Sequence, residues 1–372
     1  MNENVYVLAL KFIPKIGNIT AKKLIDLFPN LELLFSLSTI ELQNRFSLSP
    51  LLANTINKYK NTALQKAKSE IEISRQNDIN IITIDSIDYP SKLKECIDAP
   101  ISLFIKGELP SVDKSISFVG TRKASYYGKD ITEMLIKELS VISPTIVSGL
   151  ALGIDTFAHK AALNHNLPTI AVLGHGLYTL YPPENDNLAK EIINNNGCLV
   201  TEYLYNEPPL KQHFPERNRI IAGLSDGVVV VQTRERGGAL ITANIAFSYN
   251  RAVFAVPGNI TDPLAQGCLN LIKHYKAELI TEGNDILKTL NWDLMPFNNL
   301  STSAIPFPLS QDEEKIYQFL LNEGDSSIDH ICNSLNIGID VVSMALLNLE
   351  FAEIIQSLPG KRYRIAKCIK ID

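Results

Sequence analysis

The sequence predicts an α/β protein built on a doubly wound, mainly parallel sheet, with an N-terminal helical domain before it and a C-terminal winged-helix domain after it. Three observations predict this. Short β-rich runs alternate with helical patterns through the middle of the chain, apolar residues recur at three- and four-residue spacing before it, and a Pro-, Ser- and Asn-rich stretch separates a small last block.

Residues 1–80 read as helices: LALKFI, AKKLIDLF, LELLFSL and LANTINKYKNTALQKAKSEIEI each carry an apolar face. Residues 81–295 change character. The runs INIITI, ISFVG, TIVSG, TIAVLG, GVVVV and AVFAVPG read as strands. GKDITEMLIKEL, DTFAHKAAL, NDNLAKEIIN and ITANIAFSYN read as the helices between them, the signature of βαβ units with both sheet faces covered. Residues 296–309 read as a linker. Residues 310–372 give three helical patterns and then a β-rich end, the order of a winged helix.

Composition narrows the function classes. The 372 residues are 45% hydrophobic and 20% charged, with a formal net charge of −5, so the bulk charge does not favour a polyanion. Any nucleic-acid surface is therefore local. The first 80 residues carry ten Lys and Arg against seven Asp and Glu, whereas residues 81–300 carry nineteen against twenty-three. Five scattered cysteines without C-x-x-C fit a reducing cytosol and no thiolate metal site. No apolar stretch approaches the ~18 residues of a membrane span, and the start of the chain does not read as a secretory signal. The expectation is a cytoplasmic protein with no membrane contact.

The chemistry-bearing features lie in the central region. Each of four strands ends in a Gly-containing turn that opens a helix. The turns hold Gly120 with Arg122 and Lys123, then Ser148 and Gly149, then Gly174 and Gly176, then Gly237 and Gly238. In a doubly wound sheet such loops gather on one edge. Helix amino ends attract anions, and glycine lets the backbone approach one closely. Taken singly, each loop reads more simply as a tight turn; together, with Arg122, they favour an anion site. Asp155, at the start of the second helix, reads as a helix-start acid. Neither G-x-x-x-x-G-K-S/T nor G-x-G-x-x-G occurs, so neither ATP hydrolysis nor dinucleotide chemistry has support, and no cofactor is expected.

The segment PPLKQHFPERNRIIAG sets Lys211, His213, Arg217 and Arg219 around Phe214. A cation beside an exposed ring suits single-stranded nucleic acid, phosphate meeting the cation and a base stacking on the ring. Phe214 precedes Pro215, which disfavours helical geometry and predicts an exposed loop ring. The alternative is that Phe214 packs in the core while the arginines form surface salt bridges.

The ordered series SFVGTRKASYYG, IVSGLALGIDTFAHKAAL, TIAVLGHGLYTLYPPEN, HFPERNRIIAGLSDGVVVVQ, RGGALITANIA and FAVPGNITDPLAQGCLNLI resembles the DprA (Smf) family of DNA-processing proteins. The resemblance spans roughly residues 85–290. It implies an extended Rossmann-like domain that binds single-stranded DNA, dimerises and loads RecA onto that DNA during natural transformation, without known enzymatic activity. Arg122 matches the arginine of the family's G-S-R turn, which contacts phosphate. Lys211 and Phe214 match its lysine and aromatic pair, Ser148 and Gly149 its S-G turn, and Gly237 and Gly238 its glycine-rich loop. Arg217 and Arg219 match an R-N-R element whose arginines either contact DNA or are structural. Thr121 replaces the family's serine, His175 a small polar residue, and Leu269 an asparagine.

IPKIGNITAKKLI resembles a helix-hairpin-helix, with Lys15, Lys22 and Lys23 as candidate phosphate contacts, and reads more simply as a packing unit. In the tail, a DNA-reading third helix needs cationic or amide side chains. Residues 339–354 hold no Lys or Arg and carry Asp340, Glu350 and Glu353, so this domain reads as a protein-interaction or structural module. The competing enzymatic reading is a phosphoribohydrolase-like nucleotide-processing enzyme of a related Rossmann family. It lacks its glutamate: Thr242 stands four residues after Gly238, and Glu235 precedes the glycines. His159, His165, His175 and His213 have no metal-ligand spacing.

Overall fold

The computed structural model describes residues 4–292, 309–324, 326–352, 354–358 and 362–365. The chain forms two compact units, Met1–Asp293 and Leu294–Asp372. The stretch expected to be a linker lies outside the described residues except for Leu309.

The first unit is organised by a nine-stranded sheet. Its strands are β1 (Ile79–Thr83), β2 (Ser102–Gly107), β3 (Ser115–Val119), β4 (Thr145–Ser148), β5 (Thr169–Val172), β6 (Cys198–Thr201), β7 (Gly227–Val230), β8 (Ala252–Ala255) and β9 (Glu278–Leu279). The spatial order is β1-β2-β6-β5-β4-β3-β7-β8-β9. All neighbours from β6 to β9 are parallel, while β2 runs antiparallel to both β1 and β6. Chain direction across the sheet reverses at β3, which lies between β4 and β7. That makes the β3/β7 gap the topological switch point, where open α/β sheets form their crevice.

Strands β3 to β7 are buried along their whole length. Their residues alternate between two cores. Val119, Val147, Val228 and Val230 face one, and Ile116, Phe118, Ile146 and Val229 the other. The first core also takes in the N-terminal helices, from Val5 to Ala67. Those helices therefore share an apolar interior with the sheet. The longest, Pro50–Gln76, starts with proline at its first position behind a Ser49 cap and leads directly into β1.

Several contacts tie these helices to the segment after β6. Lys11 Nζ donates to the Glu202 carbonyl, and Asn18 Nδ2 donates to Glu202 Oε2 at 3.1 Å. Glu70 Oε1 accepts from the Tyr205 amide at 2.6 Å, and Asn77 Oδ1 from the Tyr205 hydroxyl at 2.8 Å. The hairpin-like turn at 13–25 packs against the same unit, with Lys22 Nζ engaged by the Lys94 and Cys96 carbonyls.

His159 belongs wholly to the core. Thr169 Oγ1 gives its proton to the Ile146 carbonyl and so accepts from His159 Nδ1 at 2.7 Å. Nε2 is buried without a partner, and burial, followed by the Arg217 charge, pushes the imidazole down to about 3. A base depressed in the fold stabilises above its unfolded value and loses that contribution as pH falls toward the folded value. Acidification from about pH 6.5 toward 3 should thus destabilise the native protein. His159→Leu should flatten that part of the profile in urea unfolding followed by circular dichroism. An unchanged slope would refute the assignment.

The second unit contains helices Gln311–Glu323, Ile328–Leu335 and Ile339–Phe351, with a three-stranded antiparallel sheet of Ser326–Ser327, Arg362–Ile365 and Ile355–Leu358 in that spatial order. This is the expected winged helix. Its own core is formed by residues such as Ile316, Tyr317, Ile331, Leu346 and Ile365.

Candidate nucleic-acid interface

A cleft of about 570 Å³ opens at the switch point. The loop after β3 supplies Gly120, Thr121 and Arg122. Lys211, just before helix His213–Gly223, and Phe214, Arg217 and Asn218 within that helix form a second side, and the loop after β7 supplies Thr233, Arg234, Arg236, Gly237 and Gly238. Three chain segments far apart in sequence thus bring four exposed cations, Arg122, Lys211, Arg234 and Arg236, to one cavity.

Phe214 is half-buried in the wall, and the Arg122 guanidinium lies over its ring at 5.5 Å. The Tyr181 ring is 5.7 Å away at 49°. Gly174 backs the other side, where a Cβ would approach Phe214 Cδ1 to 3.1 Å, so a larger residue would push the ring outward. The cation lies over the ring, so a phosphate that draws Arg122 away would uncover the face on which a base can stack. Phe214 is not in a loop, however. It lies in the first turn of helix His213–Gly223, where Pro215 has no intrahelical amide bond to forfeit.

The second loop is not available to an anion. Asp155 Oδ2 accepts from the Gly149 amide at 3.1 Å and the Ala151 amide at 3.3 Å. Ser148 is buried, and its hydroxyl donates to the Phe118 carbonyl at 2.7 Å. A Cβ on Gly149 would meet the Arg217 guanidinium at 2.6 Å, so this glycine makes room for a buried arginine. Ser148 and Gly149 therefore sit beneath the cleft and do not line it.

The two arginines of the R-N-R element diverge. Arg217 reaches the cleft floor but is buried, its Nη1 donating to the Gly149 carbonyl at 2.7 Å and to the Val172 carbonyl. Burial pulls it down to about 10 despite the opposing Asp155 charge, and burial pushes Asp155 up to about 6 despite Arg217 and the two loop amides. The pair braces the floor. Arg219 lies elsewhere, bound to the Glu202 carboxylate and to the Asp98 carbonyl at 2.7 Å. In this arrangement Arg217 is engaged by backbone carbonyls at the cleft floor, and Arg219 is removed from the site. Lys123 is exposed on the first loop but outside the cleft lining.

Gly237 and Gly238 precede helix Ala239–Ser248. A Cβ on Gly238 would meet nothing within 4 Å, so this glycine is not required by packing and leaves the loop backbone open to an approaching group. Sequence reasoning missed Arg234 and Arg236, although TRERGG places two cations beside the glycine pair. It also missed Tyr181, which gave no local signal, and Asn218, although that residue is the centre of the R-N-R element. Among the described residues no group of three or more His, Cys, Asp or Glu could hold a metal. His175 is buried between its neighbours' backbone groups, and His213 stacks on Tyr203 at 4.1 Å.

This geometry coincides with known sequence families. The family model for DNA recombination-mediator protein A matches residues 80–291. The chain belongs to the DNA recombination-mediator protein A (DprA) family. A DprA winged helix domain model matches residues 301–361. Protein Smf of Escherichia coli K12 is 38% identical over 296 residues, 78% of this chain and 79% of that protein. DNA processing protein DprA of Streptococcus pneumoniae R6 is 46% identical over 200 residues, 54% of this chain and 70% of that protein. Among solved structures, DprA from Streptococcus pneumoniae matches with a TM-score of 0.64 at 35% identity, covering 77% of this chain and 98% of that one. DNA processing protein A from Helicobacter pylori, described for its single-stranded DNA binding mode, matches with a TM-score of 0.53 at 28% identity, covering 58% and 97%. The two solved structures thus share the fold of this chain over the stretches they cover.

Proposed function

We propose that this protein binds single-stranded DNA in the switch-point cleft and acts as a recombination mediator, loading RecA onto that strand as a homodimer in the cytoplasm. The observation that carries the DNA reading is the convergence of Arg122, Lys211 and Phe214 on one cavity. Arg122 and Lys211, with Arg234 and Arg236, neutralise the sugar–phosphate backbone, while Phe214 offers a stacking face. RecA loading and self-association rest on family membership. With the cations spent on phosphate and the ring on stacking, which any base can supply, binding is expected to be sequence-tolerant. The cleft serves binding rather than catalysis: Asp155 is the only carboxylate among its lining residues, and its Oδ2 is held by two loop amides.

A fluorescence titration with single- and double-stranded oligonucleotides at two salt concentrations tests the reading. Tighter single-strand binding is expected, with log affinity falling by about 0.7 per neutralised phosphate per decade of salt. Equal affinity for duplex would overturn it. Phe214→Ala should lower single-strand affinity by about 1–3 kcal/mol while leaving the salt slope unchanged. A slope that changes as much as in Lys211→Ala would argue against stacking. Incubation with nucleoside monophosphates should release no free base; released base would favour the hydrolase reading.

A further inference from the structure

The exposed side of helix Ile339–Phe351 in the winged-helix unit is built unlike a nucleic-acid reader. Val341, Met344, Leu347 and Phe351 are all exposed, Met344 at 63% and Phe351 at 81%. At 3.6 residues per turn these four fall within an arc of about 120°, together with Asp340 and Asn348. The helix buries a different stripe, Val342, Ala345, Leu346 and Leu349, so the exposed apolar residues are not the ones its own core requires. Beside this face runs a shallow groove floored by Val341, Met344 and Ala345. Asp312, Glu313 and Asp340 rim it, and no Lys or Arg is among its described lining residues.

The rim is negative by construction. Glu313 closes a capping box with Ser310 and accepts from Asn348 Nδ2 at 2.8 Å. Burial opposes its ionisation, but these hydrogen bonds outweigh it and hold the carboxyl below its ordinary value. Lys315, on the same helix, pairs with Asp312 at 3.6 Å. In a winged helix the third helix is the element that enters a major groove. Here the corresponding face would set carboxylates and bare hydrocarbon against phosphate, which is unfavourable on both counts.

The geometry points to this face as a protein-docking surface for a basic amphipathic helix: apolar side chains covering Val341, Met344, Leu347 and Phe351, with flanking Lys or Arg meeting Asp312, Glu313 and Asp340. An apolar stripe excludes a purely ionic contact, and the acidic rim selects the sign of the partner.

The test uses the full chain and a labelled helical peptide of leucine and lysine with leucine on one face, alongside the same peptide with glutamate for lysine, read by fluorescence anisotropy. The lysine peptide should bind and weaken with salt, and the glutamate peptide should not bind. Met344→Glu should weaken the lysine peptide about tenfold or more, although it adds a negative charge. Met344→Ser should do so without changing charge. The position is exposed, and circular dichroism checks the fold. Unchanged or tighter binding to Met344→Glu would reduce the effect to bulk charge and overturn the proposal. So would equal binding of both peptides, duplex DNA binding abolished by Met344→Glu, or a dimer of the parent chain that the same substitution dissociates.

Discussion

Arg217→Ala should destabilise the protein by about 3–5 kcal/mol, more than any exchange on the rim of the cleft. The guanidinium is buried, and its removal leaves the Gly149 and Val172 carbonyls without that donor and the Asp155 carboxylate without its opposing charge. A buried charge that loses its partner is costlier than a pair that never existed. The sign of the pH response follows. Asp155 already titrates at about 6, above its ordinary value of 3.8, so its contribution to stability is full below the unfolded value and declines as pH rises through 6. Without Arg217 that decline should extend to higher pH, and the variant should regain stability on mild acidification. Asp155→Asn combined with Arg217→Met should recover much of the loss. Urea midpoints across pH provide the measurement. An Arg217→Ala variant that unfolds at the parent midpoint yet no longer binds DNA would make this arginine a ligand contact instead of a brace.

Arg122→Ala and Lys211→Ala should each weaken single-strand binding and reduce the salt slope by about 0.7, one phosphate's worth of counterion release. Both side chains are exposed, and both come from loops, so their loss should leave the melting temperature nearly unchanged. Arg122 carries an added consequence because it lies over Phe214. Its removal also frees the ring, so Arg122→Ala and Phe214→Ala should not be additive. The double variant Arg122→Ala with Lys211→Ala should lose about two phosphates of slope. Gel shifts at several salt concentrations decide it, and unchanged affinity in both folded single variants would remove the site.

Much of this was legible in the residues. The alternation of strands and helices announced the parallel sheet, and the glycine turns marked its carboxyl edge. Strands β2, β6 and β9 were not read. β9 has two residues, too few for a periodicity, and β2 and β6 pair antiparallel with each other across a long stretch of sequence that no local pattern reports. At the site, Arg122, Lys211 and Phe214 were visible as residue types beside turns. The separation of Arg217 from Arg219 was not, because two arginines one residue apart on a helix face different neighbours, and burial decides which atoms they meet. Asp155 was the subtler case. A helix-start acid is a local property, whereas its hold on the Gly149 and Ala151 amides depends on how the loop folds back.

The bonds from Lys11, Asn18, Glu70 and Asn77 to residues 202–205 give the N-terminal helices a part in recognition without any contact to a ligand. They splint the stretch of backbone that delivers Lys211 and Phe214, so the ordering entropy of that stretch is settled during folding and not at the moment a strand arrives. A protein shortened to begin at β1 would keep every cation of the cleft, yet it would lose this splint together with the apolar interior those helices share with the sheet.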